Sequence, residues 1–472
     1  MHPSAGLRGE FLQTLRWRPT RRRARHGAHH KERPMSQSLE GALNPGLSVP
    51  QDDKDALYAK VTWRLIPLLC ICYVAAYLDK INIGFAKMQM QADLGFSETV
   101  YGLGAGLFFI GYMLFEVPSN LILQRVGARA WIARIMITWG VISACMMFVN
   151  TPTQFYILRF LLGIAEAGFY PGVMLYITFW YPTFRRGKIM AFFLLGIPLS
   201  SMIGGPLSGW ILTAFSGVYG MPGWQWLFVL EAIPSVVLGV AVLACLPNGI
   251  QSAKWLSTEE KHILAQELER DVLAQTHTSV REAFASARVW VLGVIDTLLM
   301  MAVYGLNFWL PTLIKESGVH NDLHIGLMTG LSSALAVAAL VLNGMSSDRR
   351  RERRWHIAVP AFIAAASIGL SPLYSHDPVF TVLLFSIANL ALMATFPVFW
   401  CIPPTFLKGR AAAAGIALIA SMSTLGGIAA TYLMGILKDT TQSSEAGLIM
   451  FAVCLLLAGL LTLTLPRHVV NR

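Results

Sequence analysis

Four ionisable residues stand inside stretches that are otherwise apolar: the adjacent pair Asp79-Lys80, and Arg159 with Glu166 seven positions on. A charge at the centre of a membrane-crossing segment costs about 2.5–3.5 kcal/mol on insertion scales, so each is a candidate for function. On a helix, seven residues make about two turns and about 10 Å, which puts Arg159 and Glu166 on one face at two depths. Two readings are open. The charges can form internal ion pairs that only lock the first stretch to the fourth, although buried pairs stabilise weakly compared with apolar packing. Alternatively they can couple protons to an anion. Burial makes an acid easy to protonate, and a neighbouring cation reverses that until an anion occupies the cation. Anion and acid then compete for one partner, so binding the first changes the protonation of the second.

The segments that must position these residues are membrane helices. The chain has 472 residues, 55% of them hydrophobic and only 13% charged, whereas soluble proteins carry about a quarter charged residues. So little charge cannot cover a water-facing surface, and lipid must be the main solvent. The formal charge of +11 does not indicate nucleic-acid binding, because residues 1–34 alone supply +7. The basic run RPTRRRARHGAHHKERP in that region has no apolar segment after it and is not a secretory signal. Met35 is the expected true start. The six cysteines all fall in apolar stretches without metal-site spacing and read as small buried hydrophobes.

Apolar stretches long enough to span a bilayer lie near 63–86, 100–123, 131–149, 155–178, 189–214 and 226–246. Six more lie near 289–314, 324–345, 356–374, 379–401, 411–435 and 447–466. The expected fold is all-α and membrane-embedded: twelve transmembrane helices in two six-helix halves, 62–246 and 288–466. A disordered extension (1–61), a polar central linker (247–287) and a short tail (467–472) complete the expected organisation. Lys and Arg concentrate in the loops after the second, fourth, eighth and tenth stretches, as at Arg125/Arg129, Arg185/Arg186/Lys188, Arg349–Arg354 and Lys408/Arg410. The positive-inside rule then places both termini and the linker in the cytoplasm. The halves also repeat: Asn120 and Gly344 are 224 positions apart, Arg185 and Lys408 223, and the pairs Gly204-Gly205 and Gly426-Gly427 222. A nearly constant offset indicates duplication in one orientation, the pattern of two transporter halves related by an axis along the membrane normal.

The loop GMSSDRRRERR (344–354) resembles the signature of the major facilitator superfamily between its second and third, or eighth and ninth, helices. In that family its Asp and basic residues form a cytoplasmic latch in the outward-facing state, which implies gate roles here for Gly344, Asp348 and Arg349, and for Arg125 and Arg129 in the first copy. The first copy, VPSNLILQRVGARAW (117–131), departs from the pattern with Asn120 for Gly and Gln124 for Asp. In that form it is similar to the anion:cation symporters. Further matches are YLDKINIGFA (77–86), RFLLGIAEAGFYPG (159–172), AKWLSTEE (253–260) and FWCIPPTFLKGRAAAAGIAL (399–418). Relatives of this branch carry sugar acids, tartrate, phthalate or hydroxyphenylacetate, and in animals sialate and glutamate.

The resemblance implies that Asp79 and Glu166 are proton sites and that Lys80 and Arg159 attract a substrate carboxylate. Relatives often have Arg where this chain has Lys80, and Lys is a point charge rather than a bidentate fork. The positions of Tyr77 and Tyr112 line the cavity in relatives. Asn307, Trp400 and Ser421 are the expected substrate contacts of the second half. Many relatives read IALINSxGNLGG in the eleventh helix, where this chain reads IALIASMSTLGG (416–427). Ala420 and Thr424 thus replace two amides, which favours an aromatic or small dicarboxylate over a polyhydroxylated sugar acid. Glu116 is expected to pair with Arg125 or with Arg185/Arg186, Glu231 to serve helix packing, and Asp296 is equally readable as structural or functional.

The expected function is therefore proton symport of a small organic carboxylate by alternating access, in a bacterial inner membrane. Its partners are the organic anion, protons and lipid; it is expected to act as a monomer, with no cofactor, no metal and no nucleic acid. An exchanger or exporter of another cargo is the rival reading, and a membrane-embedded enzyme or sensor a distant one. No HExxH, nucleophile elbow or P-loop is present.

Overall fold

The computed structural model describes residues 51–274, 280–407 and 409–471. The region around Met35 and residue Lys408 lie outside them. Ala56–Arg472 form one compact unit. Twelve helices are long and apolar enough to cross a membrane: α1 Asp52–Leu94, α2 Glu98–Val126, α3 Ala128–Phe148, α4 Pro152–Thr178, α5 Thr183–Ala214 and α6 Gly223–Cys245. The second set is α7 Ala287–Glu316, α8 Asp322–Arg350, α9 Arg354–Tyr374, α10 Pro378–Phe406, α11 Ala414–Thr441 and α12 Glu445–Thr464. No strand occurs among the described residues. In hydrocarbon every backbone polar group must be satisfied within its own segment, which helices achieve.

Helix starts carry their expected chemistry. Ser97, Thr151 and Asn321 accept from the backbone N–H of Val100, Gln154 and His324, capping α2, α4 and α8. The extension expected to be disordered up to residue 61 is helical over its described part, which belongs to the helix Gln51–Leu94 with Asp52 and Asp53 in its first turn. Between the halves, Thr258–Ala274 form a linker helix. It is tied to the first half by Lys60–Glu260 (2.7 Å), by the Thr183 hydroxyl donating to Asp271 (2.8 Å), and by Arg186–Asp271 (3.4 Å).

The halves meet along α2 against α11 and α5 against α8. Glycines set the closeness of the second contact. A Cβ on Gly205 would lie 2.5 Å from the Gly326 carbonyl oxygen, and a Cβ on Gly326 would strike the Gly205 backbone. Polar contacts then join the halves at the end that holds the α1–α2, α7–α8 and α11–α12 connections. Lys87 is fully buried, 2.7 Å from Glu98, with its ammonium 3.5 Å from the Trp309 ring centroid. Lys438 bridges Glu98 (2.6 Å) and Glu316 (2.5 Å). Asp439 accepts from the backbone N–H groups of Glu98 and Thr99, and Gln89 donates to Asp322. This end is sealed.

The arginine-rich end is built differently. Arg125, Asp348 and Arg349 are exposed, and their side chains make no hydrogen bond or ion pair among the described residues. Arg129 donates to the Leu243 carbonyl within its own half, and the nearest atom to a Cβ on Gly344 would be Pro397 at 3.7 Å. The signature residues form no latch across the halves in this conformation.

Candidate functional site

A cavity lies between the halves, about 1170 Å³ with its open mouth included. Its lining runs from Lys80, Val303 and Tyr304 near mid-helix to Glu116, Leu340 and Trp400 towards the arginine-rich end.

Lys80 and Glu166 meet on its wall, 3.0 Å apart. The Lys80 ammonium also sits 5.0 Å from the Tyr112 centroid, 5.3 Å from Phe108 and 6.0 Å from Tyr77, and the ring faces attract it. Glu166 owes its place to a break in α4. The helix Pro152–Glu166 ends there, Gly168 adopts a left-handed φ of +87°, and helix resumes at Phe169. A Cβ at Gly168 would collide with the Ser119 side chain, so glycine is needed both for the conformation and for the approach of α2.

The other two central charges do not line the cavity. Asp79 points away from Lys80 into the first half, where its carboxylate accepts from Trp139 (3.0 Å), Ser143 (3.0 Å), Ser235 (2.7 Å) and Asn82 (3.4 Å). Successive helical residues diverge by about 100°, so adjacency of Asp79 and Lys80 in sequence separates them in space. The expectation that Asp79 competes with substrate for Lys80 is corrected: its partners are neutral donors. Arg159 is fully buried, its guanidinium carbon 4.9 Å from the Phe108 centroid, and Nε, Nη1 and Nη2 have no hydrogen-bond partner among the described residues. Of the four charges, Lys80 and Glu166 alone form an ion pair with one another among the described residues.

Tyr77, Tyr112 and Trp400 are on the cavity wall; Asn307 and Ser421 are not. Asn307 turns its amide back onto the Val303 carbonyl at 2.8 Å. Ser421 is off by helical register: Ala420, Ser423 and Thr424 line the cavity at the i, i+3, i+4 spacing of one face, which excludes the residue after Ala420. Glu116 is also corrected. It lines the cavity rather than pairing with Arg125 or the Arg185/Arg186 loop, and its backbone carbonyl accepts from Asn120. Glu231 is buried and accepts from Ser208 at 2.6 Å, inside the first half.

Sequence reasoning missed Tyr73, Tyr170, Tyr304 and Ser423 as lining residues. Ser423 was recoverable from its face-sharing with Ala420 and Thr424. Asp296 lines the cavity too and accepts a hydrogen bond from Ser423. Nine of the 23 lining residues are aromatic, so much of the wall is flat and weakly polar.

Comparison with known proteins bears on the family and the fold. The family model described as Major Facilitator Superfamily matches residues 69–431. The chain is 56% identical over 419 residues to "Putative metabolite transport protein NicT" of Pseudomonas putida, covering 88% of this chain and 96% of that protein. It is 44% identical to a "Putative tartrate transporter" of Agrobacterium vitis (86% and 94% covered). It is 42% identical to the "Quinolone resistance transporter" of Acinetobacter baumannii (87% and 94% covered). Among solved structures, a D-xylose-proton symporter superposes with a TM-score of 0.67 at 18% identity, over 85% of this chain and 97% of that one, a likeness of fold.

Proposed function

From membership of the Major Facilitator Superfamily, to which this chain belongs as a multi-pass membrane transporter, we propose that it imports a small organic carboxylate by proton symport. The observation that carries this reading is the Lys80–Glu166 pair on the cavity wall. A substrate carboxylate entering the cavity competes with Glu166 for the Lys80 ammonium. Once displaced, Glu166 is a carboxylate in low dielectric without its cation, and it takes a proton. Protonation in turn releases Lys80 to the substrate, so each ligand favours the other's binding. Proton and anion then travel together. The fully loaded site has fewer uncompensated charges than either singly loaded site, which eases closure of the halves around it.

With the arginine-rich end cytoplasmic, as the charge pattern argues, the structure is open inward and sealed outward by Lys87, Glu98, Lys438 and Glu316. Asp79 has a supporting part in this reading: it ties α1 to α3 and α6 through Ser143, Trp139 and Ser235, so its protonation state reports on α1 rather than on the substrate. Arg159 adds positive potential behind Glu166 from the same helix.

The test is uptake by the reconstituted protein, screened over aromatic carboxylates, tartrate and sugar acids. An inward proton gradient should drive accumulation and a protonophore should abolish it. Accumulation indifferent to the protonophore would reject symport. A second reading, export of a flat aromatic compound, is favoured by the aromatic walls and by the relative named for quinolone resistance. It predicts that a flat aromatic compound loaded inside right-side-out vesicles leaves them against its gradient, and that Lys80→Ala leaves this flux intact.

A further inference from the structure

The cavity has a second polar pole that the Lys80–Glu166 exchange does not use. Asp296 lies about two and a half turns into α7, is 2% exposed and faces the cavity. Its Oδ2 accepts from the Ser423 hydroxyl on α11, and Oδ1 takes no hydrogen bond among the described residues. The placement is stiff, because α7 and α11 pack almost backbone to backbone beside it: a Cβ on Gly426 would lie 2.6 Å from the Thr297 carbonyl oxygen. No cation pairs with Asp296 among the described residues. The charged side chains on the lining are Lys80 against Glu116, Glu166 and Asp296.

That balance of charge restricts the ligand. One carboxylate has Lys80 to meet; a second, at the Asp296 and Glu116 end, would meet no cation, and is disfavoured wherever those acids are ionised, because like charges in a desolvated site repel strongly. A small dicarboxylate, admitted by the sequence, fits poorly. A carboxylate walled by apolar groups is instead suited to accept a hydrogen bond from a ligand O–H or N–H, and a site built for such a donor rejects the analogue that lacks it. Between the poles, Tyr77, Phe109, Tyr112, Tyr304 and Trp400 supply flat apolar surface.

We infer that Asp296, held by Ser423, is a second recognition pole that selects aromatic monocarboxylates carrying a hydroxyl or amino group away from the carboxylate. This rests on the carboxylate reading of Lys80 and adds the substrate class to it. It also gives the ligand a mechanical part. Lys80 belongs to the first half and Asp296 to the second, so a ligand with both groups bridges the halves, and a ligand with one does not.

The experiment measures affinities of the purified full-length protein for benzoate, 4-hydroxybenzoate, 3-aminobenzoate and benzene-1,3-dicarboxylate by isothermal titration. The wild type should bind the hydroxyl and amino compounds about tenfold more tightly than benzoate, the equivalent of one net hydrogen bond, and should bind the dicarboxylate no better than benzoate. Asp296→Ala should collapse that ratio to within about twofold of unity and improve the dicarboxylate relative to benzoate. Ser423→Ala, the milder change and the recourse if Asp296→Ala does not fold, should reduce the ratio about threefold by leaving the carboxylate less constrained. A ratio unchanged in either folded variant, or a wild type that prefers the dicarboxylate, overturns the inference while leaving the Lys80 reading intact. Failure of the wild type to bind any of the four overturns both.

Discussion

The two halves wall one cavity with unlike chemistry. The first half brings Lys80, Glu116 and Glu166 and six of the nine aromatic lining residues, with Arg159, which has no hydrogen-bond partner among the described residues, buried behind them; the second half brings Tyr304, Phe396, Trp400, aliphatic side chains, Thr424 and one acid, Asp296, on a serine. The offset of 222–224 residues between corresponding motifs argues that the halves began as copies in one orientation, and their cavity-facing charges now differ. The difference teaches a division of labour. In the proposed reading the first half holds the charges that exchange partners with ligand and proton, aromatic surface comes from both halves, and the second half adds the single pole at Asp296. A transporter needs the first kind of wall to couple, and the second to choose.

That division can be broken most severely at Lys80. Lys80→Ala leaves Glu166 and the substrate carboxylate without their shared cation, and binding should fall about a hundredfold or more, as expected when a buried charged group loses its partner. Lys80→Arg should keep most of the affinity. Equal losses in the two variants, read by titration with the best substrate of the screen, would mean that the ammonium's shape matters and its charge does not.

Next in size is a variant in which stability and activity should part. Arg159 is buried with three nitrogens that have no hydrogen-bond partner among the described residues. Where apolar residues replace a whole buried ion pair, the change is often neutral or stabilising by about 1–4 kcal/mol, and an unpaired charge has less attraction to lose. Arg159→Met should therefore raise the thermal unfolding temperature in detergent while abolishing transport. A fall in both would show that Arg159 holds the fold together. In the second half, Trp400→Ala should cost about tenfold in affinity, through lost aromatic contact, with proton dependence unaltered. The smallest effect is expected at Thr424→Asn, which restores an amide where many relatives have one: about a threefold shift towards sugar acids, read as a ratio of affinities.

The fold was legible because bilayer thickness, loop charge and the 222–224-residue repeat each leave a coarse signal in composition. The coupling residues were legible as charges in apolar sequence, but their pairing was not. Asp79 and Lys80 are adjacent in sequence and turn to different neighbours, and Arg159 and Glu166 share a helix while only Glu166 reaches the cavity. Which acid meets which cation depends on helix rotation and on the break at Gly168, and no spacing rule supplies either. Ser421 and Ser423 show the same limit on a smaller scale: Ala420 and Thr424 were placed on the right face, but Ser421, one residue past Ala420, was named as a contact where Ser423 lines the cavity.

The most direct measurement of the central claim uses Glu166→Gln in proteoliposomes, with the best substrate of the screen on both sides of the membrane. Glutamine cannot exchange a proton and leaves Lys80 open to the substrate. The variant should therefore retain counterflow exchange of labelled substrate and fail to concentrate it under an inward proton gradient. If Glu166→Gln still accumulates substrate against its gradient, the proton is carried elsewhere and the Lys80–Glu166 pair is only a structural lock between α1 and α4.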